Sequence, residues 1–384
     1  MHVNGAHEQR TTWMSVVRTS VRSMQTTPPA ELDELMSRAA ATLSSGLRKG
    51  LESPTPGALL GMASMLLALL SAPEVDPGNT TAVVRGLAAQ HRPEASAGAL
   101  AIATLADDAG LRRWARRDLA DRGYAVPRWL AELHRAAPSG RAFEISGPFR
   151  DRDDLVVGVT LPTGHPLTAV VRIDNEFGGR AVGGALFELP VDETLEHLQP
   201  PDDADVHIRN IDAADARARI AASFSHIDLP LASRTDWHSQ RPLVRWLLTR
   251  LPTGGEPRVP GQVDDVDVDH VLRRFLASPW GRPWVRGHLS ALAEHVLGDG
   301  LANGLGDPLL WAPHHVARLL DPTHRHIDAD ELDAVRTPEL LRDLIRYGHG
   351  ERGLRQELTD RSLREVDRCA DAFIRSVRAR EEAA

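Results

Sequence analysis

Asp174-Asn175-Glu176 ends an apolar, alternating stretch of the chain. Two carboxylates one residue apart at a strand end suit a metal ion or acid–base work. Asp153 and Asp154 stand at the facing end of the neighbouring strand, so a carboxylate cluster is geometrically permitted. The plainer reading is turn chemistry, with Asp and Asn accepting from their own backbone. A second concentration holds His314, His315, His324, His326, Asp328 and Asp330. Imidazole and carboxylate together are donors that zinc, manganese and iron accept. No H-E-x-x-H spacing fixes two of these ligands on one helical face, and a polar turn with Asp328 or Asp330 as a helix cap accounts for the same residues. A third set is basic. Arg112, Arg113, Arg116 and Arg117 recur at i, i+1, i+4 and i+5 and so share a helical face, with Trp114 among them and Trp129 beyond. Arginines interleaved with aromatics could contact phosphate and stack on bases. The alternative is a solvated face whose charge is answered by Asp107, Asp108, Asp118 and Asp121.

Other signatures fail on inspection. Asp265, Asp267 and Asp269 open like a calcium loop, but His270 and Leu276 stand where glycine and glutamate are required. A linker with Asp269 capping the next helix is expected instead. Ser225-His226-Ile227-Asp228 has no third element to complete a triad. There is no Gly-rich phosphate loop, and no cofactor is expected. The sequence leaves open whether the protein is an enzyme.

These residues must be held by a framework, and its patterning is clearest between Asp153 and Leu189. Leu155, Val157, Val159 and Leu161 alternate with Val156, Gly158 and Thr160, which is the period of a strand. Pro162-Thr163-Gly164-His165-Pro166 reverses the chain, and Leu167, Ala169, Val171 and Ile173 mark the returning strand. A third strand over 181–189 and a short one near His207 to Arg209 are expected. Elsewhere the period is helical: Ala30 to Lys49, Gly57 to Ala72, 81–90, 95–107, 111–122, Asp212 to Phe224, Arg241 to Leu251, and Leu363 to Arg380 with Ser362-x-x-Glu365 as a capping box. The fold class is therefore α+β, predominantly α-helical, with a small central antiparallel sheet flanked by N- and C-terminal helical regions. The expected division is a flexible arm over 1–27, a helical domain over 28–139, an α+β domain over 140–251, a linker over 252–269 and a C-terminal helical domain over 270–384.

Composition narrows the partners. Net charge is −8, so attraction to nucleic acid or acidic lipid has to come from a local patch. The single cysteine, Cys369, excludes an internal disulfide and any multi-cysteine metal site, which favours a reducing cytoplasm. The most apolar run, Gly57 to Ala72, is shorter than the roughly 20 residues of a bilayer span, so no membrane association is expected.

Several segments occur in a familiar order: Pro127-Arg128-Trp129-Leu130, Leu167 to Asn175, Asp212 to Ile220, Arg241 to Trp246, Gly306-Asp307-Pro308-Leu309 with Trp311 and Pro313, and Leu341 to Gly353. Together they resemble a family of mostly actinobacterial proteins with no established activity, over residues 55 to the C-terminus. Members of that family follow the tryptophan segment with Asp-Trp-x-Pro-Arg-Lys, where this chain has Leu320-Asp321-Pro322-Thr323-His324-Arg325. The resemblance transfers no function. The expectation is a non-catalytic interaction, scaffold or regulatory protein of the cytosol. It would bind a protein partner, or nucleic acid through Arg112, Arg113, Arg116, Arg117, Trp114 and Trp129. The alternative is a metal-dependent hydrolase using Asp174 and Glu176 or the His/Asp cluster.

Overall fold

The computed structural model describes residues 29–70, 79–176, 179–198, 205–224, 237–257, 266–323 and 333–382. The expected N-terminal arm, the Ser225–Asp228 segment and His324, His326, Asp328 and Asp330 lie outside these residues.

Five helices lead in: α1 (Pro29–Glu52), α2 (Gly57–Leu70), α3 (Asn79–Ala88), α4 (Pro93–Leu105) and α5 (Ala109–Asp121), then a single turn, α6 (Arg128–Ala131). Helix α2 is apolar on nearly every side, and Leu59, Leu60, Ala63, Met65 and Leu67 are all buried, as such a composition demands. Gly123 ends the α5 segment with a left-handed φ of 67°. The strands follow: β1 (Ala137–Ser146), β2 (Arg152–Thr160), β3 (Pro166–Asp174), β4 (Arg180–Phe187) and, after α7 (Val191–Leu198), β5 (His207–Ile211). All pairings are antiparallel, in the order β4-β3-β2-β1-β5. The protein is thus predominantly helical α+β with one small antiparallel sheet.

The alternation in β2 and β3 sets the buried face. Leu155, Val157, Val159, Ala169, Val171 and Ile173 join the N-terminal helices and α9 (Trp237–Leu248) in one core. The opposite face is not bare. Phe143, Val156 and Val170 meet Val191 and Leu195 of α7, which packs on it. The sequence reading missed β1, whose first five residues are exposed and show no apolar alternation; pairing to β2 and β5 makes it a strand.

Helix α8 (Ala213–Ser223) starts at Asp212, which accepts from the Ala214 amide at 2.7 Å. The C-terminal part, α10 (Val268–Ala277), α11 (His288–Ala302), α12 (Pro313–Leu319), α13 (Thr337–Glu351) and α14 (Gln356–Glu381), has its own core, with Phe275, Trp284 and Trp311 wholly buried. Two local expectations need correction. Asp267, not Asp269, caps α10 and accepts from the His270 amide. Helix α14 begins at Gln356, so Ser362 and Glu365 are interior: Ser362 donates to the Trp311 carbonyl and Glu365 pairs with Arg368.

Candidate functional sites: a carboxylate–histidine cluster and an arginine face

The end of the sheet sorts its carboxylates between two faces, because neighbouring side chains on a strand point opposite ways. Asp153 lies opposite Ile173 and shares its core-facing side. There it accepts from Asn175 Nδ2 at 2.7 Å and from Arg219 of α8. Arg219 also donates to Asn175 and to Glu144, and Glu144 accepts from Arg150 at 2.7 Å and Arg209 at 3.0 Å. A guanidinium and two carboxylates buried together are tolerable only because each is paired and hydrogen-bonded. A cavity of about 170 Å³ opens beside this network, lined by Glu144, Arg150, Arg209 and Arg219.

Asp154 is tied to Arg172 by two 2.9 Å bonds. The carboxylate cluster that sequence position allowed, joining Asp153 and Asp154 to Asp174 and Glu176, is therefore not assembled. Asp174 instead stands in a cross-strand row with Arg152 on one side and Arg180 on the other. It accepts the Glu176 amide at 3.1 Å, so the turn chemistry expected of Asp-Asn-Glu is present.

The partner brought to this end is His314. Helix α12 carries His314 and Arg318 four residues apart, hence on one face. His314 Nδ1 lies 3.1 Å from Glu176 Oε2, and Arg318 donates to the same oxygen and to the Asn303 carbonyl. Asp174, Glu176 and His314 each offer a ligand atom within 4.8 Å of the others. Glu176 is 0 % exposed, and its Oε1 has no hydrogen-bond partner among the described residues. Burial raises the Asp174 carboxyl above its ordinary value, against the pull of His314, Arg152, Arg180 and Arg318. Burial likewise raises Asp151 and lowers His314, whose protonation Arg152 also opposes. The Arg318 guanidinium is lowered to about 10 by burial.

The two sequence candidates thus meet in part. Asp174, Glu176 and His314 converge, whereas His315 turns away, stacked on Trp311 at 4.7 Å with Nε2 3.1 Å from Asp299. Arg318 and Arg152 were missed by the sequence reading; the His314-x-x-x-Arg318 spacing was the available signal.

The arginine face lies on α5. Leu111, Ala115 and Leu119 bury the inner side, Arg113, Arg116 and Arg117 are exposed, and Arg112 is half-buried. Three of the four acids expected to answer this charge are engaged elsewhere. Asp107 pairs with Arg250 at 2.8 Å, Asp108 caps α5 through the Leu111 amide, and Asp118 pairs with Arg122. Arg116 reaches the Ala131 carbonyl, while Arg112, Arg113 and Arg117 form no ion pair with any described residue. Burial lowers the neighbouring His134, and Arg116, Arg112, Arg135 and Arg250 lower it further. Of the aromatics, Trp129 is buried in the core, and Trp114 is half-buried with the Arg85 guanidinium 5.8 Å over its ring.

Among the described residues no helix is long and apolar enough to cross a membrane. Comparison with known proteins finds no matching family model, no matching curated protein and no matching solved structure.

Proposed function

We propose that this is a non-catalytic interaction protein that holds an acidic protein partner on the arginine face of α5. One observation carries the reading: Asp107, Asp108 and Asp118 are bonded away from these arginines, which leaves Arg112, Arg113 and Arg117 without an ion pair among the described residues. A guanidinium fork fits a carboxylate with two parallel bonds. Covered or buried tryptophans favour carboxylates over the stacked bases of a single-stranded nucleic acid.

The rival reading, hydrolysis at a metal held by Asp174 and Glu176, gains from the approach of His314. It loses more from the complete burial of Glu176 and the grip of Arg318, which give a substrate no direct approach to that carboxylate.

Fluorescence anisotropy with a labelled poly-glutamate peptide and a labelled DNA duplex of matched charge tests the assignment. The peptide is expected to bind, more tightly as salt is lowered, and the duplex no better than the peptide. Clear preference for the duplex would transfer the face to nucleic acid, and no binding of either would remove it.

A further inference from the structure

Glu176 presents an unresolved polar problem. A carboxylate oxygen taken wholly out of water and given no donor is costly, and native structures pair such atoms with a proton donor, a water or an ion. Among the described residues Oε1 of Glu176 has no donor, while Oε2 is taken by Arg318 and lies against His314. Among the described residues, the side chains grouped with Glu176 as donors to a cation are the Asp174 carboxylate and the His314 imidazole. The Asp174 bond to the Glu176 amide already fixes how the two acids sit relative to each other.

The geometry points to a binding site for one first-row divalent cation, of the Mn²⁺ or Zn²⁺ type, shared by Asp174, Glu176 and His314, where the ion fastens the end of the sheet to the C-terminal helices. Two carboxylates with one imidazole are a borderline donor set that suits these ions. The imidazole disfavours Ca²⁺ and Mg²⁺, which prefer all-oxygen shells. Ligands around one ion at about 2.1 Å stand roughly 3–4 Å apart, so side chains already within 4.8 Å need only a small inward turn. Arg318 keeps the opposite oxygen of Glu176, which lets that carboxylate serve the guanidinium and the ion together, as outer partners commonly do at metal sites. Arg152 and Arg180, on either side of Asp174, balance the remaining negative charge and restrain the affinity.

The ligands come from parts of the chain 138 residues apart, Glu176 after β3 and His314 on α12. An ion held by both therefore binds the folded arrangement and not the unfolded chain, and stabilises it by mass action. This role needs no open coordination position and is independent of the arginine face.

The test uses the full chain without a histidine tag, stripped by chelator, with Mn²⁺ and Zn²⁺ added separately and Mg²⁺ and Ca²⁺ as comparisons. Calorimetry is expected to give one site per chain for Mn²⁺ or Zn²⁺, together with a raised thermal midpoint, and neither effect with Mg²⁺ or Ca²⁺. Asp174→Asn and His314→Gln should each weaken binding at least tenfold. His314 is 39 % exposed on its side chain, so its replacement keeps the fold, and circular dichroism checks this. Failure of Mn²⁺ and Zn²⁺ to bind stoichiometrically, or equal binding by wild type and both variants, would overturn the site. The second result would assign the ion to other histidines.

Discussion

His349 sits at 0 % exposure on α13, takes the Trp311 amide on Nε2 and lies 3.2 Å from the Thr359 hydroxyl. Burial lowers its pKa from the ordinary 6.5 to about 4, so the fold requires the neutral ring. The unfolded chain takes up this proton first. The contribution is therefore whole above 6.5 and is lost as pH falls through 6.5 towards 4, where both states bind the proton. A difference of that size corresponds to about 3 kcal/mol between the two ends of the window. Urea unfolding of wild type and His349→Gln across the window should show wild type losing that stability relative to the variant. Parallel pH profiles would mean that His349 is not titrating as described. The raised carboxyls of Asp174 and Asp151 act in the opposite sense, which is why the comparison is made between the two chains.

At the scale of elements, one hydroxyl accounts for how two helices join. Helix α9 contains Pro242, which lacks an amide and pushes the preceding turn apart. Ser64 of α2 enters the gap. It accepts from the Leu243 amide at 3.0 Å and donates to the Ser239 carbonyl at 2.6 Å, so it links the amide and carbonyl adjoining the pair that the proline leaves unbonded. This gives the only polar side chain in the Gly57–Leu70 run its reason. Ser64→Ala should cost about 1–3 kcal/mol, the usual cost of stranding buried backbone groups. The urea midpoint measures it, and a loss below about 0.5 kcal/mol, typical of an uninvolved surface position, would show that the kink is satisfied otherwise. Local pattern revealed α2, and it revealed β2 and β3 because their alternation is strict. It did not reveal β1, which opens with Ala137-Pro138-Ser139-Gly140 and depends on its partners to be a strand. It placed Trp114 and Trp129 near the arginines, but helix phase carries no information about depth, and Trp129 went inward. Asp174, Glu176 and His314 each stood out in the sequence. Their meeting did not, because it depends on how the C-terminal helices dock against the sheet.

At the scale of the whole molecule, two apolar cores are joined at a seam. The sheet and N-terminal helices form one, α10 to α14 the other, and Phe149 from the β1–β2 turn packs with Ala312 and Leu358, its ring 5.8 Å from His349. Asp205 adds ion pairs to Arg355 and Arg361. The chain carries a net charge of −8, yet α5 turns three exposed arginines outward, and at physiological salt screening over about 8 Å makes that local sign the one a partner meets. The central claim is that this face does the binding. The most direct measurement is poly-glutamate affinity for wild type and for the triple variant Arg113→Glu, Arg116→Glu, Arg117→Glu, with thermal midpoints compared to confirm equal folding. Reversal of three interfacial charges should weaken binding by about tenfold or more; equal affinity in a folded variant would contradict the account.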